Sequence, residues 1–192
     1  MTATAGSYPL RFDVEYPQRL SRLLIFVKWL LANPHYVVLY VIGILAGLFT
    51  VIAWFAILFT GRYPQGLFNF VVGYFRWNAN VSAYILLMRD EYPPFTMSGG
   101  RYPVTLEVDY PERLSRWLIF VKWLLVIPNI IVLAVLGLVY YVTLIIAWFA
   151  ILFTGRYPKG LFGFAVGVAR WSLRANAYVY LLTDRYPPFS LS

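Results

Sequence analysis

The feature that most limits what this chain can fold into is an internal repeat. Pro9–Ser98 aligns with Pro103–Ser192 without a gap, and more than half of the aligned positions are identical. Ile52–Pro64 matches Ile146–Pro158 residue for residue. A duplication of this length predicts two copies of one structural unit, residues 9–98 and 103–192.

Each copy contains two long apolar segments. Of all residues 61% are hydrophobic and only 12% are charged, whereas soluble domains carry about 25% charged residues. The apolar runs predict membrane-spanning helices at 35–60 and 67–88, with counterparts at 129–154 and 161–183. A Gly-Arg-Tyr-Pro turn separates the two helices of each copy.

Two shorter elements precede the long helices in each copy. Leu10, Phe12 and Val14 alternate with charged residues, which is typical of a half-buried strand, and the second copy repeats the pattern. Next come predicted helices at 19–32 and 113–127, which are roughly 21 Å long and too short to cross a bilayer core of about 30 Å. We interpret them as interfacial helices whose basic side chains contact lipid headgroups, namely Arg19, Arg22, Lys28, Arg113, Arg116 and Lys122.

These elements together predict an all-α membrane protein. It has two tandem helical hairpins, four transmembrane helices, two interfacial helices and short cytoplasmic β segments. Two spans per copy give both copies the same orientation, so their pseudo-twofold axis is parallel to the membrane normal. Basic residues are more frequent near the ends of the copies than in the turns, which predicts cytoplasmic termini and turns on the opposite side.

The second long helix of each copy carries a polar stripe. Its members recur at helical spacing and include mid-helix arginines, and we interpret five as contacts for a partner or a lipid: Arg76, Arg170, Arg174, Asn69 and Asn80. Alternatively, the helix is shallow and its arginines snorkel, or each arginine binds carbonyl groups between the copies. Small residues suited to close helix packing are Gly43, Gly47, Gly73, Gly163 and Gly167.

Residues with catalytic potential are sparse. The chain has no cysteine and one histidine, His35, whose counterpart is Asn129. A lone histidine forms neither a metal site nor a triad. Asp90 and Asp184 recur beside basic residues, and we interpret them as interface charges with a structural role. The sequence therefore predicts a non-enzymatic protein without a cofactor, a metal or a nucleic-acid partner.

The repeated motifs resemble a known bacterial membrane family, domain of unknown function 4389. The resemblance rests on Tyr-Pro-x-Arg-Leu-Ser-Arg, on the segment matched at Ile52–Pro64, and on Asp-x-Tyr-Pro-Pro-Phe. It implies a protein of the bacterial inner membrane and supplies no catalytic residues.

Two functions from different classes fit these observations. The first is an accessory or scaffold subunit, or a lipid-binding component of a membrane complex. Its expected partners are anionic lipids, other membrane subunits or a second copy of the chain. The alternative is a small oligomeric channel or transporter that uses the arginine stripe.

Overall fold

The computed structural model describes residues 8–100 and 102–192. The predicted cytoplasmic position of the N-terminus lies outside the described residues. The elements follow the same order in both copies: β1 Leu10–Val14, α1 Lys28–Leu31, α2 Asn33–Thr60 and α3 Gln65–Ile85, then β2 Val104–Val108, α4 Leu118–Leu125, α5 Ile127–Thr154 and α6 Lys159–Val179.

The long helices α2 and α5 are uncharged and expose most of their apolar surface. Each has a proline in its first turn, where the missing N–H costs nothing. Each ends at a glycine with positive φ, 70° at Gly61 and 69° at Gly155, a conformation that glycine adopts without steric cost. Within the described residues, two helical stretches, Asn33–Thr60 and Leu118–Thr154, are long and apolar enough to cross a membrane.

The shorter helices α3 and α6 are amphipathic and largely buried by the protein itself. Neither is among the stretches long and apolar enough to cross a membrane, so the prediction of four spanning helices is not supported. Two residues after the end of each helix comes a leucine with positive φ, Leu87 at 63° and Leu181 at 62°. A leucine in this region is strained, and burial of both side chains in the core offsets the strain.

The two strands pair with each other in an antiparallel sheet. Phe12 lies opposite Leu106, and these residues occupy equivalent positions in the two copies. The apolar side chains of both strands enter the core. The other face of the sheet is exposed and charged, with Arg11 paired to Glu107 and Asp109.

The copies exchange contacts in a way that the sequence does not predict. The Leu20 N–H donates to the Gly155 carbonyl at 2.9 Å, and the Leu114 N–H donates to the Gly61 carbonyl at 2.9 Å. The Ser21 N–H donates to Asp90, just after α3. Each turn thus lies beside the chain ends of the other copy. The prediction that turns and ends occupy opposite sides of a bilayer is wrong, because they are a few ångströms apart.

The predicted interfacial helices are shorter than expected. In the first copy a 3-10 turn, Leu24–Phe26, precedes α1. The hydroxyl oxygens of Ser21 and Ser115 accept the backbone N–H groups of Leu24 and Leu118, so regular structure begins only there. Trp29 and Trp123 are both 64% exposed on these segments.

Candidate functional site

Lys28 and Asp90 form a buried ion pair that joins α1 to the segment after α3. The Lys28 ammonium lies 2.8 Å from the Asp90 carboxylate and donates to the Arg89 carbonyl at 2.6 Å. It also lies 5.0 Å from the centre of the Tyr84 ring. Burial lowers the pKa of Lys28, and the Asp90 carboxylate opposes that change.

The second copy repeats this ion pair with Lys122 and Asp184 at 2.8 Å. Lys28 and Lys122 are each only 1% exposed. The prediction that these two lysines contact lipid headgroups is therefore wrong, because their ammonium groups are turned inward, each onto an aspartate and a backbone carbonyl. The structural role expected for Asp90 and Asp184 agrees with this geometry, although neither carboxylate is the freely solvated charge that the sequence suggested.

The stripe arginines hold the sheet onto the helices. Arg76 of α3 donates to the Leu106 carbonyl at 3.0 Å, and Arg170 of α6 donates to the Phe12 carbonyl at 2.8 Å. Each arginine thus binds the strand of the other copy. This agrees with the alternative in which the arginines bond carbonyl groups between the copies.

Beyond this shared bond, the stripe differs between the copies. Arg170 also reaches the Leu191 carbonyl at 3.1 Å, and Arg174 reaches the Ser192 carbonyl at 2.6 Å. In the first copy, Arg76 and the buried Asn80 line a cavity of about 920 Å³ together with polar groups of 96–107. Asn69 is exposed and does not line this cavity.

Only some of the selected glycines are packing positions. A Cβ on Gly43 would lie 3.2 Å from the Tyr74 hydroxyl, so this glycine does allow α2 and α3 to approach. Gly73 and Gly167 are covered by Met97 and Leu191 of the segments after α3 and α6, not by another helix. A Cβ on Gly47 or Gly163 would meet nothing within 4 Å, so the predicted packing role is wrong for these two.

The single histidine occupies a buried aromatic site. His35 Nδ1 accepts a hydrogen bond from Trp77 Nε1 at 3.0 Å, and its ring stacks on Phe95 with centroids 3.9 Å apart. Asn129 accepts the equivalent bond from Trp171 at 2.7 Å. A residue that asparagine replaces in the same bond has a structural role here, as a lone histidine suggests.

The remaining basic residues of the predicted headgroup set are exposed at the turns. Arg19, Arg22, Arg113 and Arg116 all lie on the surface. Sequence reasoning placed Arg156 and Arg62 on the far side of the membrane, whereas the structure brings Arg156 to the same cavity as Arg19 and Arg22. No signal in the sequence could have revealed this, because the contact depends on the exchange between copies.

The described residues also offer little to a metal ion. Among residues 8–100 and 102–192, no three His, Asp or Glu side chains cluster as a set of metal ligands. What the arrangement offers chemically is charge: guanidinium groups at the turns and a mixed charged face on the sheet.

Comparison with known proteins gives one match. No curated protein and no solved structure matches the chain. The family model described as Domain of unknown function (DUF4389) matches residues 22–97 and again residues 116–190. The two matches cover most of both copies and confirm the resemblance read from the motifs, so the chain belongs to this family, in two tandem copies.

Proposed function

We propose that the protein is a non-enzymatic membrane scaffold that lies in one leaflet of the bacterial inner membrane and binds a partner through the charged face of its sheet. The observation that carries the proposal is the contrast between two surfaces. The outer sides of α2 and α5 are apolar and exposed, including Val41, Leu48 and Phe59, while the outer face of the sheet is charged.

The position of the sheet favours a protein that lies in the membrane plane. The sheet is bonded to Arg76 and Arg170, in the middle of α3 and α6. If these helices crossed the bilayer, the sheet charges would be near its centre, where each costs about 2.5–3.5 kcal/mol on insertion scales. With α3 and α6 along the surface, the sheet faces water and the exposed sides of α2 and α5 face the acyl chains.

The same arrangement predicts which side of the membrane the basic residues face. The basic residues of the turns and of the segments before α1 and α4 then share one side, which the positive-inside rule assigns to the cytoplasm. The pseudo-twofold axis of the sheet is parallel to the membrane normal in this arrangement. The contacts of Arg76 and Arg170 do not favour a transport role, because both arginines donate to strand carbonyls.

Site-directed labelling tests the position in the membrane. The chain contains no cysteine, so single cysteines can be introduced at Gln65, Thr105 and Leu48 and probed with an impermeant maleimide in spheroplasts and in inverted vesicles. We expect labelling of Gln65 and Thr105 in inverted vesicles alone and protection of Leu48 in both. Labelling of Gln65 in spheroplasts would overturn the proposed orientation.

Photo-crosslinking in cells tests the scaffold role. A photoreactive residue at Thr105, on the outer face of the sheet, is expected to give a discrete crosslinked product. Gln65 is also exposed, at the first residue of α3 and not on a strand, and is the matched control. A crosslink at neither position, or equally at both, would contradict partner binding by the sheet.

A further inference from the structure

Three arginines from different copies meet at the turn between α5 and α6. Arg19 and Arg22 of the first copy and Arg156 of the second line one cavity of about 450 Å³, together with Leu20, Thr154 and Gly155. Since a water molecule takes about 30 Å³ in the liquid, this cavity has room for a hydrated anion.

The backbone brings the arginines together. The hydrogen bond from Leu20 to Gly155 fixes the segment before α1 against the turn. A Cβ on Gly155 would lie only 3.6 Å from Arg22 Nε. The site therefore exists only when both copies are folded against each other.

The cavity is positively charged without compensation. None of these three arginines forms an ion pair with any carboxylate in residues 8–100 and 102–192. Guanidinium groups bind phosphate through paired N–H donors in a geometry that matches its oxygen atoms. Like charges held this close are stabilised by an anion between them.

Two residues adjacent in sequence to the cavity lining are apolar and exposed. Leu23, next to Arg22, is 79% exposed, and Phe153, next to Thr154, is 71% exposed. A cationic cavity whose lining residues are followed or preceded in the chain by exposed apolar side chains is suited to an anion that carries acyl chains.

The geometry points to a binding site for a phosphate group between Arg19, Arg22 and Arg156, shared by the two copies. A phospholipid headgroup and free phosphate offer the same chemistry. The assignment to a lipid rests on the proposed position in the membrane, whereas the assignment of the anion rests on the cavity alone.

The other turn repeats these backbone contacts. Leu114 binds Gly61 there, and a Cβ on Gly61 would lie 3.6 Å from Arg116 Nε. Arg62 and Arg113 take the places of Arg156 and Arg19. This turn has Gln65 where the first site has Lys159, and Glu112 where the first site has Gln18, so its positive charge is lower and we expect the first site to bind more tightly.

Lipid retention by the full chain tests the site. The detergent-solubilised protein is titrated with phosphatidylglycerol, with phosphatidylcholine and, separately, with inorganic phosphate. Bound lipid is counted by native mass spectrometry, and bound phosphate is followed by the broadening of its ³¹P signal. We expect Arg156→Gln to weaken binding at least about tenfold, the effect of losing a charged hydrogen bond.

The matched control is Arg11→Gln, which removes the same charge from the exposed face of the sheet and is expected to leave binding unchanged. A preference for phosphatidylglycerol that is lost only in Arg156→Gln supports a lipid site. Arg156-dependent binding of inorganic phosphate alone supports a site for the free anion. Equal losses in the two variants, or no binding in either titration, would overturn the inference.

The outcome is separable from that of the proposed function. Cysteine labelling reports the position in the membrane whether or not an anion binds. Conversely, binding of inorganic phosphate in detergent does not depend on how the protein lies in a bilayer.

Discussion

The two copies of the unit agree closely at one site and diverge at another. In the buried ion pairs Lys28–Asp90 and Lys122–Asp184, the nitrogen–oxygen distance is 2.8 Å in both copies. Each lysine also donates to the carbonyl of the residue before its aspartate. By contrast, Arg76 and Arg170 both bind a strand carbonyl, but Arg76 borders a cavity whereas Arg170 also binds the Leu191 carbonyl.

This difference separates the ion pairs, which have one structural role in both copies, from the stripe arginines, whose surroundings differ between the copies. Each ion pair connects two segments of its own copy, so it has the same structural role in both copies. The surroundings of the stripe depend on the segment after α3 or α6, and the copies need not be equal there. We therefore expect substitutions at the ion pairs to act alike in both copies and substitutions along the stripe to act unequally.

The largest expected effect is loss of a buried counter-charge. Asp90→Ala leaves the Lys28 ammonium buried and unpaired, and we expect the free energy of unfolding to fall by about 3 kcal/mol. Asp184→Ala is expected to cost the same. Denaturant unfolding followed by tryptophan fluorescence measures both, with Glu112→Ala, which removes an exposed carboxylate, as a control that changes stability by less than about 1 kcal/mol. Tolerance of one aspartate substitution but not the other would break the equivalence of the copies.

A smaller effect is expected at the covered glycines. A Cβ on Gly167 would lie 2.9 Å from the Leu191 carbonyl oxygen, whereas the closest contact on Gly73 is the Met97 side chain at 2.8 Å. Because backbone yields less easily, we expect Gly167→Ala to cost about 2 kcal/mol and Gly73→Ala about 1 kcal/mol. Thermal unfolding shows which of the two substitutions costs more stability. Gly163→Ala is the control, and we expect it to stabilise α6, because a Cβ there has no atom within 4 Å. A reversed order would show that the segment after α6 adapts more readily.

The stripe arginines sharpen the comparison further. Arg170→Gln removes bonds to Phe12, Leu191 and the exposed Asp13 carboxylate, and we expect a loss of about 1.5 kcal/mol. Arg76→Gln removes the bond to Leu106, and the expected loss is about 0.5 kcal/mol. Hydrogen exchange of the strand amides, measured with the unfolding curves, shows whether the sheet loosens. Equal losses would mean that the shared strand carbonyl accounts for the whole effect.

The smallest effect is expected at the single histidine. His35→Asn makes the first copy resemble the second, in which asparagine accepts the tryptophan N–H. The bond to Trp77 is retained while the stack on Phe95 is lost, so we expect a loss of about 0.5 kcal/mol. Near-ultraviolet circular dichroism and thermal unfolding report it. A loss above about 2 kcal/mol would assign the histidine a further role.

The sequence patterns predict where each helix lies in the chain better than they predict which groups it contacts in the fold. The long helices begin and end within a few residues of the predicted bounds, because uncharged runs, prolines and glycines act locally. The sequence predicts headgroup contacts for the inward lysines, because a lysine beside a tryptophan is also typical of a membrane interface. Only the folded chain places an aspartate 2.8 Å from each ammonium.

The sequence alone determined the duplication, the apolar class of the chain, the alternating strands and the positions of the turns. The tertiary structure decided which copy supplies the partner of each group: strand against strand, Arg170 with Phe12, and Leu20 with Gly155. The reason is physical. Two nearly identical copies offer the same groups, so local pattern cannot distinguish a partner in the same copy from one in the other. Only the packing of the whole chain makes that choice.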